Sequence, residues 1–194
     1  MSHLAFVQQM HAALTNAGYA ADQWEIRSLP LVSSTNTRVD DMLGLYDRAI
    51  VLAKSQSKGK GRQNRAWYSP VGGLWLSLGF LTDGAAEELS TPIIEEIHAI
   101  LSQFVDCEIK EPNDILINGK KVCGLLVESK IRKNKLERVI IGIGINIRNE
   151  LPDEVKDIAT RLVDHDADPE IFDLATELVI SIINRLRYLI PKDQ

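Results

Sequence analysis

Asn118-Gly119 stands between two short apolar runs, 114–117 and 121–128, and this juncture narrows the fold more than any other feature of the chain. Both positions tolerate φ > 0, so the pair selects a tight hairpin turn and commits the flanking runs to neighbouring antiparallel strands. A third run, 138–147, follows the polar stretch KIRKNK, which predicts a further reversal and an antiparallel meander. Two continuous apolar runs lie upstream, AIVLA at 49–53 and GLWLSLGFL at 73–81.

Helical patterns bracket these strands. Residues 3–16 place Leu4, Val7, His11 and Leu14 at helical spacing ahead of Gly18, and an extended piece, SLPLV, leads to a second helix, TRVDDMLGL. Residues 91–104 open on Thr91-Pro92, carry Glu95 and Glu96 early, and align Ile97, Ile100, Leu101 and Phe104 on one face. Beyond Asn146 the chain turns acidic, with nine acidic residues in 150–173 against Lys156 and Arg161. Two helices are expected there, one starting at Pro152 and one at Asp168-Pro169-Glu170 with a stripe of Leu174, Leu178, Ile182, Leu186 and Leu189. A meander with helices segregated before and after it reads as α+β.

A chain of 194 residues, 45% apolar and 25% charged, suffices for one globular domain with its own core. The net charge of −5 argues against a general nucleic-acid binder, so basic clusters are local patches. Cys107 and Cys123 sit in apolar strand-like runs without CxxC spacing or a histidine cluster, which fits free thiols in a reducing cytosol. The absence of a signal-peptide pattern, and of any apolar run of about 18 residues, predicts a soluble cytoplasmic protein with no membrane partner.

One basic patch falls between the two upstream strands. Lys54, Lys58, Lys60, Arg62 and Arg65, with Gly59 and Gly61, crowd into a loop that holds no carboxylate. Glycines allow close backbone approach to a ligand, and amide groups plus cations supply the field a phosphate needs. A solvated surface loop is the competing reading of this segment.

Four separated motifs need a joint explanation: SSTN at 33–36, GKGRQNRAWYSPVGG at 59–73, KEPNDILINGKKVCGLLVE at 110–128 and GIGIN at 142–146. Their order and spacing resemble the catalytic domain of biotin protein ligases, within the biotin/lipoate ligase family, over about residues 30–147. The resemblance implies a class II synthetase-like fold with a mixed, mainly antiparallel sheet. It implies ATP and biotin as substrates, Mg²⁺ carried with the nucleotide and a biotin carboxyl carrier protein of an enzyme such as acetyl-CoA carboxylase as partner, and it leaves a homodimer open; no DNA partner is expected, because some members bind DNA through an added N-terminal domain for which too few residues precede the first motif. The chemistry it implies makes biotinyl-AMP and then transfers biotin to a carrier lysine. That chemistry brings anions together without a nucleophilic side chain, so positioning and positive charge suffice.

Carried over by the resemblance, Ser34, Thr35 and Gln56 would bond the ureido ring of biotin, with Asn36 beside them. Gly59, Lys60, Gly61 and Arg62 would close over biotinyl-adenylate, and Arg62 and Arg65 would face phosphates, where guanidinium forks pair bidentately. Trp67 would cover the adenine side, a core aromatic being the other reading. Asp114, after Asn113, would orient Lys121 or help hold Mg²⁺, and Lys121 would place a compact charge at the reacting carboxylate and α-phosphate. Lys120 should point to the opposite face, since strand side chains alternate. Gly124, Gly142 and Gly144 would let the ligand lie against the sheet, tight packing being their alternative, and Asn146 would reach the phosphates. Catalysis would thus fall to Lys121, Arg62 and Asp114.

Departures from the family pattern are Lys60 for arginine, Asn64 for glycine and Glu111 for tryptophan. The 32 residues before the first motif are too few for the winged-helix domain of some members, and the 48 after Asn146 read as helices and not as a C-terminal β-domain. Lipoate or octanoate ligation or transfer, and a biotin sensor that no longer transfers, are the alternative functions.

Overall fold

The structure, a computed structural model, describes residues 3–85 and 87–190. Its strands are β1 (Glu25–Leu29), β2 (Arg48–Ala53), β3 (Leu74–Leu81), β4 (Glu108–Lys110), β5 (Asp114–Ile117), β6 (Lys120–Arg132) and β7 (Lys135–Ile145). They form one sheet in the order β1-β2-β3-β7-β6-β5-β4. Only β1 and β2 run parallel; every other pair is antiparallel. The helices are α1 (His3–Asn16), α2 (Thr35–Met42), α3 (Ser90–Leu101) and α4 (Ile171–Arg185).

Strand alternation divides the work of the two faces. Ile50 and Leu52 of β2, Leu74, Leu76, Leu78 and Phe80 of β3, and Val139, Ile141, Ile143 and Ile145 of β7 join the side chains of α1, α3 and α4 in the main core. The opposite face holds a smaller cluster in which Val39, Met42 and Leu43 of α2 and its end pack on Ala49, Val51 and Ile140. Beyond α2 that face sets glycines and a serine among larger side chains. The cross-strand rows there are Trp75, Gly144 and Gly124; Ser77, Gly142 and Leu126; and Gly79, Ile140 and Glu128.

The expected hairpin forms with Asn118 at φ 50° and Gly119 at φ 75°, both in the left-handed region. The next reversal differs from the expected polar loop: β6 and β7 run on through KIRKNK to a two-residue turn at Lys133-Asn134. The outer half of that hairpin is exposed, so its polar composition reflects solvent on both faces and conceals the strand.

Other expectations need correction. On α1 the buried stripe is Phe6, Met10 and Leu14, and Leu4 and His11 face solvent. β1 and β4 are strands that the apolar runs did not announce; EIRSL gains its place by pairing with β2, and EIK is three residues long. α3 ends before Phe104, which is exposed. Pro152 opens no α-helix: a single 3-10 turn, Asp153–Val155, follows it, and Ala159 pairs with Lys121. α4 forms as expected after Glu170, with Leu174, Leu178 and Ile182 buried, but it ends at Arg185, so Leu186 and Leu189 reach the core from the turn beyond it.

Cys123 is fully buried in β6, while Cys107 lies just ahead of β4 and is half-buried; both are free thiols. Burial pushes both thiols up, Cys123 the further. A thiol reagent at neutral pH should therefore modify Cys107 first and reach Cys123 only on unfolding. Equal labelling rates for the two in native protein would contradict this packing.

Candidate functional site

The open face of the sheet carries a cleft of about 440 Å³ of unfilled space, open to solvent. One wall begins at the N-terminus of α2. Ser34 occupies the N-cap position with extended φ/ψ, yet its side chain makes no capping bond. Thr35 and Asn36, in the first turn, enter a buried network. Gln56 Oε1 accepts from the Thr35 amide at 2.7 Å and lies 3.1 Å from Thr35 Oγ1, while Gln56 Nε2 donates to Ser69 Oγ at 2.7 Å. Ser77 Oγ sits 2.7 Å from Thr35 Oγ1 and 2.6 Å from Asn36 Oδ1, and Asn36 Nδ2 donates to Glu128 at 2.7 Å.

The floor is the glycine row. A Cβ at Gly142 would fall 2.1 Å from Asn36 Oδ1, and one at Gly144 2.5 Å from Trp67 Nε1. These glycines thus admit protein side chains at close range, Asn36 over Gly142 and Trp67 over Gly144 and Gly124. The tight-packing alternative holds for all three. Trp67 meets Trp75 edge-on at 6.5 Å, and the Lys121 ammonium lies 4.9 Å from its ring centre. Its Nε1 is buried without an acceptor among the described residues.

The far wall is cationic. Lys121 Nζ pairs with Asp114 Oδ1 at 2.6 Å. Arg62 donates to Asn113 Oδ1 at 2.9 Å, and Asn113 Nδ2 in turn donates to the Leu125 carbonyl at 2.9 Å. Lys60 and Gly61 complete the rim.

Strict alternation would put Lys121 on the core face with Cys123 and Leu125, away from Gly124. A β-bulge resolves the conflict. Ile115 pairs with Cys123 but Leu116 pairs with Lys121, so Val122 is an extra residue, and it is buried in the core beside Cys123. The bulge re-aims Lys121 into the cleft. Its backbone is held by the segment after Pro152: Lys121 N donates to the Ile158 carbonyl at 2.9 Å, and its own carbonyl accepts from Thr160 N at 3.0 Å. Lys120 is exposed, as expected, and donates to the Lys156 carbonyl.

Ser34, Thr35, Asn36, Gln56, Lys60, Gly61, Arg62, Trp67, Asn113, Lys121 and the three glycines therefore line one cleft. Four expected residues do not. Gly59 is buried at the base of the loop, where a Cβ would meet the Trp67 carbonyl at 2.3 Å. Arg65 is exposed and donates to Gln63 Oε1. Asn146 is buried, and its Oδ1 accepts from Asn149 Nδ2 at 3.2 Å. Asp114 stands behind Lys121 and reaches the cleft through it. Ser69, Ser77 and Glu128 were missed; the signal for Ser77 was a lone polar residue in the apolar run LWLSLGF. Glu111 is exposed, and the Glu111-Pro112 peptide is cis.

A family model described as "Biotin/lipoate A/B protein ligase family" matches residues 28–146. Among curated proteins, the chain is similar to "Bifunctional ligase/repressor BirA" of Bacillus subtilis, 41% identical over 124 residues, 58% of this chain and 38% of that protein. It is also similar to "Biotin--[acetyl-CoA-carboxylase] ligase" of Paracoccus denitrificans, 35% identical over 111 residues, 54% of this chain and 46% of that one. The match spans less than half the length of these relatives. Among solved structures, biotin protein ligase from Aquifex aeolicus in complex with biotin and ATP aligns with a TM-score of 0.69 at 32% identity, covering 84% of this chain and 70% of that one. The Leishmania major enzyme in complex with biotinyl-5-AMP aligns with a TM-score of 0.69 at 26% identity, covering 86% and 76%.

Proposed function

Because this chain belongs to the biotin/lipoate A/B protein ligase family, we propose that it is an ATP-dependent biotin protein ligase. The biotin carboxylate attacks the α-phosphorus of ATP and pyrophosphate leaves; a carrier lysine amine then attacks the acyl carbon and AMP leaves. The observation that carries this reading is a single cleft with a neutral polar wall at one end and Lys121 with Arg62 at the other. A cyclic urea suits Ser34, Thr35 and Gln56, whereas a lipoyl or octanoyl chain has no ring donors and would leave them unpaired. Lys121 and Arg62 face the end where carboxylate and phosphate must meet, and cations held there before reaction stabilise the charge that builds up.

The carrier is proposed to be a biotin carboxyl carrier domain of an acetyl-CoA carboxylase, and the location the cytoplasm. No helix among the described residues is long and apolar enough to cross a membrane. Mg²⁺ enters with ATP in this scheme. No cluster of three His, Cys, Asp or Glu ligands exists among the described residues, and Asp114, the carboxylate beside Lys121, already pairs with it. Such a donor set fits a magnesium ion held chiefly by phosphates and water, with at most one carboxylate.

Biotin-dependent release of pyrophosphate from ATP, with biotinyl-AMP identified by mass, tests the first step, and labelling of a carrier domain tests the second. No biotin-dependent pyrophosphate would refute the assignment, and adenylate without labelling would favour the sensor. Arg62→Ala should raise the KM for ATP about tenfold and increase loss of adenylate to solution, because one charged hydrogen-bonding partner is removed. An unchanged KM together with unchanged leakage would exclude Arg62 from the phosphate end.

A further inference from the structure

We propose that Asn113 is a positioning residue that acts through Arg62: it pins the tip of the basic loop across the cleft and places the guanidinium before the nucleotide arrives. The inference rests on the ligase reading above and goes beyond it by assigning Asn113 to the loop and not to the nucleotide. Residues 59–67 fold back on themselves as a narrow hairpin. Trp67 N donates to the Gly59 carbonyl at 2.9 Å, Lys60 pairs with Ala66, and Gly61 N donates to the Arg65 carbonyl at 2.8 Å. Gln63, at φ 56°, turns the tip.

The base of this hairpin sits beside the pairing of Gln56 with Ser69, on the β2 and β3 side of the cleft. Asn113 is bonded to β6, which lies beyond β3 and β7 in the sheet. The loop therefore spans the cleft. Among the described residues, the hydrogen bond from Arg62 to Asn113 is the one that ties residues 61–65 to the far wall.

Asn113 owes none of its own placement to Arg62. Its main-chain carbonyl accepts from Leu125 N at 2.8 Å, and its side-chain amide donates to the Leu125 carbonyl at 2.9 Å, so one residue of β6 holds it at two points. A backbone carbonyl only accepts, which assigns Nδ2 to Leu125 and leaves Oδ1 turned to the loop. Arg62 is the partner that gains order, being exposed at a hairpin tip where a long side chain otherwise samples many rotamers. Fixing it in advance removes a cost that nucleotide binding would otherwise meet. One of its five N–H groups goes to Asn113, and those that remain can meet phosphate oxygens. The acceptor is an uncharged amide, so it holds the guanidinium without neutralising it. Asp114, the next residue, holds Lys121. Two consecutive residues at the entry to β5 thus aim both cations.

Two experiments on the full chain test this. Trypsin under native conditions, without ligand, reports on the loop itself. Asn113→Ala should be cut after Lys60, Arg62 or Arg65 about threefold to tenfold faster than wild type, the factor expected when one hydrogen bond no longer opposes opening. A rate equal to wild type overturns the proposal. A cycle of Asn113→Ala, Arg62→Ala and the double variant, read as the KM for ATP in biotin-dependent pyrophosphate release, tests the route. Asn113→Ala should raise that KM about threefold to tenfold, and the double variant should lie within about twofold of Arg62→Ala alone. Effects that multiply in the double variant overturn the proposal, because a direct contact with the nucleotide or a defect of the fold would persist without Arg62. A wild-type protein with no biotin-dependent pyrophosphate release overturns instead the functional reading beneath it, while the protease result still decides whether Asn113 pins the loop.

Discussion

Lys121→Ala is expected to slow biotinyl-adenylate formation by about a hundredfold to a thousandfold, the size of effect seen when one preorganised charge-stabilising donor is removed. Biotin affinity should change much less, since the proposed ureido contacts lie on the opposite wall. The loss belongs in kcat because the ammonium matters most when the carboxylate and α-phosphate close on one another, and little before. Asp114 contributes by holding Nζ at 2.6 Å. Lys121→Arg should not restore the rate, because a planar fork cannot occupy the place of a compact ammonium packed 4.9 Å above the Trp67 ring. Single-turnover formation of biotinyl-AMP measures the effect, and an alanine variant turning over at the wild-type rate would remove Lys121 from the chemistry.

Gly142→Ala should cause the largest loss of biotin affinity of any single methyl added to the sheet. The new Cβ would lie 2.1 Å from Asn36 Oδ1 and 2.8 Å from its Cγ, far inside contact distance. Asn36 cannot yield without leaving Ser77 and Glu128, so relief of the clash dismantles the wall that faces the ligand. An affinity loss of about a hundredfold follows from several buried polar groups left unpaired together, with stability lowered by a few kcal/mol at most. Gly144→Ala acts on a different neighbour, Trp67, and so should disturb the phosphate end more than the ureido end. Calorimetric titration with biotin separates the two, and equal biotin affinity in wild type and Gly142→Ala would show that Asn36 is not part of the wall.

The strands with apolar runs, the Asn118-Gly119 hairpin and α4 could be read from the chain because local signals and tertiary packing agree there. β1 could not: EIRSL has no apolar run and becomes a strand only through its neighbour β2. The stripe on α1 was misplaced because Leu4 and His11 keep helical spacing with Leu14 equally well, and only contact with the sheet chooses Phe6 and Met10. In the cleft, the motif residues were legible as chemistry and the cross-strand rows were not. Ser77 and Glu128 become partners of Asn36 only when β3, β6 and β7 lie side by side. Lys121 was named for its charge, but its direction depends on a bulge that a period-two pattern does not contain.

The hold on Lys121 by Ile158 and Thr160 bears on where a working fragment may be cut. The family model ends at residue 146, and all four motifs lie within its reach or at its edge. A fragment trimmed to that match would retain each motif side chain while discarding both backbone hydrogen bonds that brace the bulge, together with the α4 side chains that close the main core. The smallest unit able to aim this lysine therefore extends well past the last residue by which the family is recognised.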